Sequence, residues 1–101
     1  MHRDDPYFHT EPRGRFLGVW VALEDVDEDQ GPLYYVPGGH RQEIPIPSAD
    51  LFNPVDEYYA QLKGSTQVLT ARKGDVAVWH PFLPHGGTAI KRPGASRRIA
   101  T

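Results

Sequence analysis

The chain predicts a mainly β fold, an antiparallel sandwich or barrel of about six short strands with one short helix. Two observations lead there. Short runs of apolar, β-branched and aromatic residues follow one another without intervening long helical patterns. Ten Pro and ten Gly among 101 residues cut those runs apart and supply the turns. The length suits a single domain spanning 1–101, which buries roughly 60–70% of its unfolded surface.

The elements can be justified in order. Residues 1–15 are polar, contain Pro6 and Pro12, and read as a loop with short extended pieces. Phe16 to Leu23 is the strongest strand signal and reads as buried on both faces. Glu24 to Gly31 is an acidic turn. Its Asp25-x-Asp27-x-Asp29 spacing resembles a calcium loop, but the sixth and twelfth positions hold Gln30 and Val36 where such a loop needs Gly and Glu. Leu33 to Val36 is a short strand ended by Pro37-Gly38-Gly39. His40 to Pro47 contains two X-Pro steps and reads as irregular. Asn53 to Leu62 is a short helix with Asn53 as its cap, Pro54 in its first turn and Gly64 beyond its end. Gln67 to Ala71 is a strand, Lys73-Gly74-Asp75 a tight turn, and Val76 to His80 a strand. Thr88 to Ile90 and Arg97 to Thr101 are short strands around the turn Arg92-Pro93-Gly94.

Composition excludes several function classes. There is no Cys, so neither disulfides nor thiolate metal sites occur. A net charge of -2 with 24% charged residues argues against nucleic acid as a partner. No apolar run reaches 18 residues, so no membrane span is expected. The first residues, Met1-His2-Arg3-Asp4-Asp5, do not read as a secretory signal, and cytoplasm is the default location.

Two pieces at opposite ends carry the chemistry. His2-Arg3-Asp4 places an imidazole and a carboxylate at i and i+2, on one side of an extended segment, where both can reach one ion. The run Trp79 to Gly87 contains His80 and His85, and Arg97 follows. Two imidazoles and one carboxylate on one face of a metal ion, with open positions opposite, is the ligand set of a non-haem iron oxygenase. An Arg beyond them offers a fixed fork for a carboxylate. His85, in Pro84-His85-Gly86-Gly87, is expected on a rigid loop at a strand edge. His80 is expected on the inner face of its strand as a supporting imidazole. His9 and His40 read as surface residues. Of Arg97 and Arg98, one faces inward and one outward, and an inward Arg calls for an anion.

Taken together, these blocks resemble the phytanoyl-CoA dioxygenase family. They are His2-Arg3-Asp4 with Pro6-Tyr7-Phe8; Trp20-Val21-Ala22-Leu23-Glu24-Asp25-Val26 through Gly31-Pro32-Leu33 to Val36-Pro37-Gly38-Gly39-His40-Arg41; and Lys73-Gly74-Asp75, His80-Pro81, His85-Gly86 and Arg97. Their order and spacing agree along nearly the whole chain. The resemblance implies a double-stranded β-helix (jelly roll) that uses Fe(II) and 2-oxoglutarate. It implies His2, Asp4 and His85 as metal ligands, Arg97 on the distal carboxylate of 2-oxoglutarate, and Trp20 beside that co-substrate. The implied reaction oxidatively decarboxylates 2-oxoglutarate to succinate and CO2 and hydroxylates a C–H bond of a small organic substrate. Two positions depart from the pattern. Gly87 stands where a Ser is frequent, and Gln30 where the family has Asn. Family members also carry strands upstream of the H-x-D pair. The chain is therefore expected to be the C-terminal catalytic-core portion of such a fold, incomplete on its N-terminal side and assembled as a homo-oligomer. A cupin-like metal- or small-ligand-binding β-domain without oxygenase activity is the alternative.

Overall fold

The structure, a computed structural model, describes residues 1–8, 10–47, 49 and 56–101. Among the described residues six strands form: β1 Gly18–Ala22, β2 Leu33–Tyr35, β3 Gln67–Leu69, β4 Val76–Trp79, β5 His85–Gly87 and β6 Ile99–Ala100. A short helix, α1, covers Asp56–Tyr59. Its expected cap, Asn53 with Pro54, lies outside the described residues. The strands make two antiparallel sheets, ordered β4-β1-β6 and β3-β2-β5. No described helix is long and apolar enough to cross a membrane.

The core lies between the sheets. Trp20, Ala22 and Val26 are its buried centre, and Leu33, Leu69, Ala77, Trp79 and Ile99 pack around them from both sheets. This arrangement fixes the phase of β1, which is buried on one face and not on both. Trp20 and Ala22 point inward, whereas Val19 and the flanking Leu17 and Leu23 remain exposed. Pairing carries the same phase to β4. Val19 lies opposite Val78 and Val21 opposite Val76, so the outer face of this sheet presents a row of valines, with Val76 59% and Val78 57% exposed.

β5 replaces the expected loop at His85. Gly86 pairs with Tyr34 across the ladder, and its Cβ would sit 2.8 Å from the Tyr34 ring. A glycine-rich stretch is therefore extended here because a neighbouring aromatic ring takes the space of a side chain. Thr88 to Ile90 forms no strand, only a bridge from Ile90 to Gln30. Lys73-Gly74-Asp75 turns as expected, with Gly74 at φ 92° and the Arg72 N–H donating to Asp75 Oδ2 at 2.8 Å. The acidic run closes into a turn in which Asp29 N–H donates to Asp27 Oδ1 at 2.9 Å, and Arg92 pairs with Asp27.

Candidate metal centre

The segment carrying His2 and Asp4 is laid against the strand carrying His85. His2 N–H donates to the His85 carbonyl at 2.8 Å, and His85 N–H returns the bond at 3.0 Å. Two residues on, the N–H groups of Asp4 and Asp5 both donate to the Pro81 carbonyl, at 3.0 and 3.2 Å. The segment is thus extended at His2 and tightens into a short 3-10 turn, Asp5–Tyr7, at Pro6. Within it the i, i+2 relation brings His2 and Asp4 to one side.

The three side chains converge. One potential ligand atom from each of His2, Asp4 and His85 lies within 4.8 Å of the others. Asp4 Oδ1 is 3.4 Å from His2 Nε2 and 3.5 Å from His85 Nε2. The tautomer of His85 follows from its other nitrogen. Nδ1 lies 2.9 Å from the Leu83 carbonyl oxygen, which can only accept, so Nδ1 carries the proton and Nε2 keeps its lone pair. That is the orientation in which a backbone carbonyl sets a metal-binding imidazole. The His85 ring is held between His2 at 4.4 Å and Trp79 at 5.0 Å. Burial pushes its pKa below the ordinary histidine value, against the Leu83 hydrogen bond and the Asp4 charge, which act to raise it. Burial acts to raise the Asp4 carboxyl, but hydrogen bonds from His2 and Trp79 and the His85 and His2 charges outweigh it and leave Asp4 below its ordinary value. Both directions favour a neutral His85 imidazole and an ionised Asp4 carboxylate, with the His2 imidazole beside them.

Trp79, not His80, is the residue that supports the cluster. Its indole Nε1 donates to Asp4 Oδ2 at 2.9 Å, which leaves Oδ1 turned toward the imidazoles. His80 shares the outward phase of Val76 and Val78 and is exposed. Its Nδ1 accepts the Phe82 N–H at 3.1 Å, and its ring packs 5.4 Å from His40. The signal for Trp79 was its phase. It alternates with His80 and shares a face with Ala77. His9 lies outside the described residues.

A cavity of about 540 Å³ opens beside the cluster, lined by His2, Asp4, His85, Trp20, Arg97 and an apolar wall that includes Phe16 and Leu33. Arg97 is the inward member of its pair and donates to the Gly31 carbonyl. Arg98 is exposed, and its N–H donates to Glu24 at 2.8 Å. A Cβ at Gly87 would sit 3.5 Å from the Arg97 guanidinium, so glycine there keeps the space in front of the fork open. Trp20 is 1% exposed, and its Nε1 has no hydrogen-bond partner, an unmet donor in the wall of the cavity. Gln30 folds back into its own turn, accepting from Asp27 N–H at 2.9 Å and donating to the Ser96 carbonyl at 3.1 Å.

Two antiparallel sheets with a His–Asp–His cluster at the mouth of the space between them are the architecture of the jelly-roll oxygenases. The sequence profile of the family described as phytanoyl-CoA dioxygenase (PhyH) matches residues 1–99, and the chain belongs to that family of Fe(II)- and 2-oxoglutarate-using oxygenases. Among relatives, it is 31% identical over 110 residues to phytanoyl-CoA dioxygenase domain-containing protein 1 of Danio rerio, an alignment covering 99% of this chain and 36% of that protein. The crystal structure of SnoN, a non-heme alpha ketoglutarate dependent epimerase from nogalamycin biosynthesis, superimposes with a TM-score of 0.67 at 28% identity, over 92% of this chain and 35% of that one. EvdO2 from Micromonospora carbonacea var. aurantiaca, complexed with 2-oxoglutarate, shares the fold with a TM-score of 0.53 at 21% identity, over 97% and 40%. The chain spans about a third of the length of the curated relatives it matches.

Proposed function

We propose that this chain is the catalytic-core portion of an Fe(II)- and 2-oxoglutarate-dependent dioxygenase that hydroxylates a small organic substrate. The observation that carries the reading is the convergence of His2, Asp4 and His85 on the cavity that also holds Arg97 and the unpartnered Trp20 Nε1. The residues fit the groups. A carboxylate and two imidazoles whose lone pairs face it suit a divalent iron. When bound, the iron supplies oxygen activation coupled to decarboxylation of the co-substrate. The chain's own residues do the rest. Arg97 orients the distal carboxylate of 2-oxoglutarate, and Trp20 N–H donates to the co-substrate. The apolar wall of Phe16, Leu33 and Ile99 keeps water from the reacting C–H bond. The reading includes a cytoplasmic location and no nucleic-acid partner.

Anaerobic addition of Fe(II) and then 2-oxoglutarate is expected to produce a weak visible charge-transfer band. The band should be absent in His85→Ala, and in Trp20→Phe it should need more than tenfold higher 2-oxoglutarate. A wild-type chain that binds Fe(II) but develops no band at saturating co-substrate would remove 2-oxoglutarate from the reading and favour a metal-binding domain without oxygenase activity. Succinate formation is the second discriminating measurement.

The same proposal includes self-association. The outer valines and Leu17, Val19 and Leu23 form an exposed, largely apolar sheet face, and such faces pack on one another. Sedimentation equilibrium at micromolar concentration should give a mass at least twice 11.4 kDa. A stable monomer at that mass would show that the exposed face is tolerated in solution.

A further inference from the structure

The residue between the two N-terminal ligands has a task of its own. Along His2–Asp5 the side chains alternate, His2 and Asp4 to the cluster and Arg3 and Asp5 to the opposite side. On that opposite side Arg3 Nη2 donates to the carbonyls of Gly39 and Gln42, at 2.8 and 2.6 Å, and the Arg3 backbone N–H donates to Tyr59 Oη at 3.2 Å. Asp5, 4% exposed, takes Arg13 Nε at 2.7 Å.

Both carbonyls that Arg3 holds belong to one turn. Gly38 enters it with φ 72°, and Gly39–Arg41 complete it as a 3-10 turn. This turn also seats the distal histidine. Val36 N–H donates to the Pro84 carbonyl at 3.2 Å, and Gly39 lies so close to Pro84 that a Cβ would be 2.8 Å from its ring. Pro84 is fully buried and directly precedes His85. The Val36-Pro37-Gly38-Gly39-His40 stretch contributes no ligand, yet both halves of the cluster are keyed to it. His85 is keyed through Pro84, and His2 with Asp4 through Arg3.

We infer that Arg3 is a positioning residue. Its guanidinium straps the His2–Asp4 segment to the Gly38–Gln42 turn and so sets the distance of those two ligands from His85. The inference rests on the reading of the cluster as a metal site. Without the strap, the segment that carries two of the three ligands loses its side-chain tie to the turn that seats His85. It keeps its backbone bonds to His85, Pro81 and Tyr59 and the Trp79–Asp4 bond; the His2 side chain is already 42% exposed. Loss of a group that orients metal ligands typically costs 10–100-fold in metal affinity.

Co(II), a spectroscopic stand-in for Fe(II), tests this in the full chain. In Arg3→Ala the Co(II) dissociation constant should rise 10–100-fold, the visible ligand-field spectrum should change in shape, and low-millimolar guanidinium should restore part of the affinity. A purely structural Arg3 would lower the melting temperature and leave the spectrum of the folded, metal-saturated chain unchanged, and that outcome overturns the inference. If Arg3→Ala fails to fold, Arg3→Gln, too short to span both carbonyls, is read by the same criterion. Weaker Co(II) binding with an altered spectrum supports the strap, and wild-type values overturn it. A wild-type chain that binds no Co(II) would overturn the metal site itself and the strap with it.

Discussion

Trp20→Ala is expected to cost about 3–5 kcal/mol of stability, the range for removing a large aromatic from a packed core. Trp20 is the largest side chain at the centre between the sheets, touching the cluster of Ala22 and Val26. It lies directly across the β1–β4 ladder from Ala77, whose side chain is too small to fill the space left. Small domains have about 5–15 kcal/mol in total, and this core has few fully buried members, so the variant should lie close to unfolding at 37 °C. Urea denaturation followed by far-ultraviolet circular dichroism measures the loss without relying on the indole that was removed. Trp20→Phe should keep most of the packing. A loss below about 1 kcal/mol in Trp20→Ala would mean that the indole is not central to the core.

Replacing Asp4 separates charge from shape. Asp4 supplies the only negative charge of the cluster, and it lies between two imidazole nitrogens and the Trp79 N–H. Asp4→Asn is close in shape. Its carbonyl oxygen can still accept from Trp79, and its amide can donate to the lone pairs of His2 and His85, so the fold should be retained. Divalent metal affinity should fall by 100-fold or more, about 2.7 kcal/mol at 1.36 kcal/mol per decade. Asp4→Ala should lose the same affinity and also some stability, because the Trp79 N–H is left without its acceptor. Isothermal titration with Mn(II) or Co(II), paired with thermal melts of the apo proteins, reads both effects. Near-wild-type metal binding by Asp4→Asn would mean that the ion, if bound, is held by other groups.

How much of this was legible beforehand depends on whether a feature is local. The i, i+2 relation of His2 and Asp4 is a property of any extended segment, so it could be read directly. So could the alternation of Arg97 and Arg98, although only the folded chain shows that Arg97 is the inward one. Phase was the hard part. Phe16 to Leu23 is apolar at every position and carries no sign of which side faces in. Its phase comes from the Trp20, Ala22 and Val26 cluster, against which Leu33 and Leu69 of the other sheet pack. The same pairing set β4, turning His80 outward and Trp79 inward, the reverse of what the importance of histidine suggested. His85–Gly87 looked like a loop because glycine and proline dominate it, and the Tyr34 ring that makes glycine necessary is over fifty positions away. Arg3 was hidden by its neighbours. Between two ligands it carries no signal of its own, and its acceptors are backbone carbonyls, which have no residue signature.

The bridge between His2 and His85 also bears on how the molecule comes into being. These two residues are 83 positions apart, and the Asp4–Trp79 bond spans 75. Closing so long a loop costs chain entropy that grows only slowly with length, but it must be met before any long-range contact repays it. During synthesis the first ligands leave the ribosome long before the last exists. The bonds that hold His2 and Asp4 to Trp79, Pro81 and His85 therefore cannot form until β4 and β5 have been made, although Arg3 can meet the Gly38–Gln42 turn earlier. The ligand cluster is in that sense the clasp of the fold, a contact that only the nearly finished chain can close.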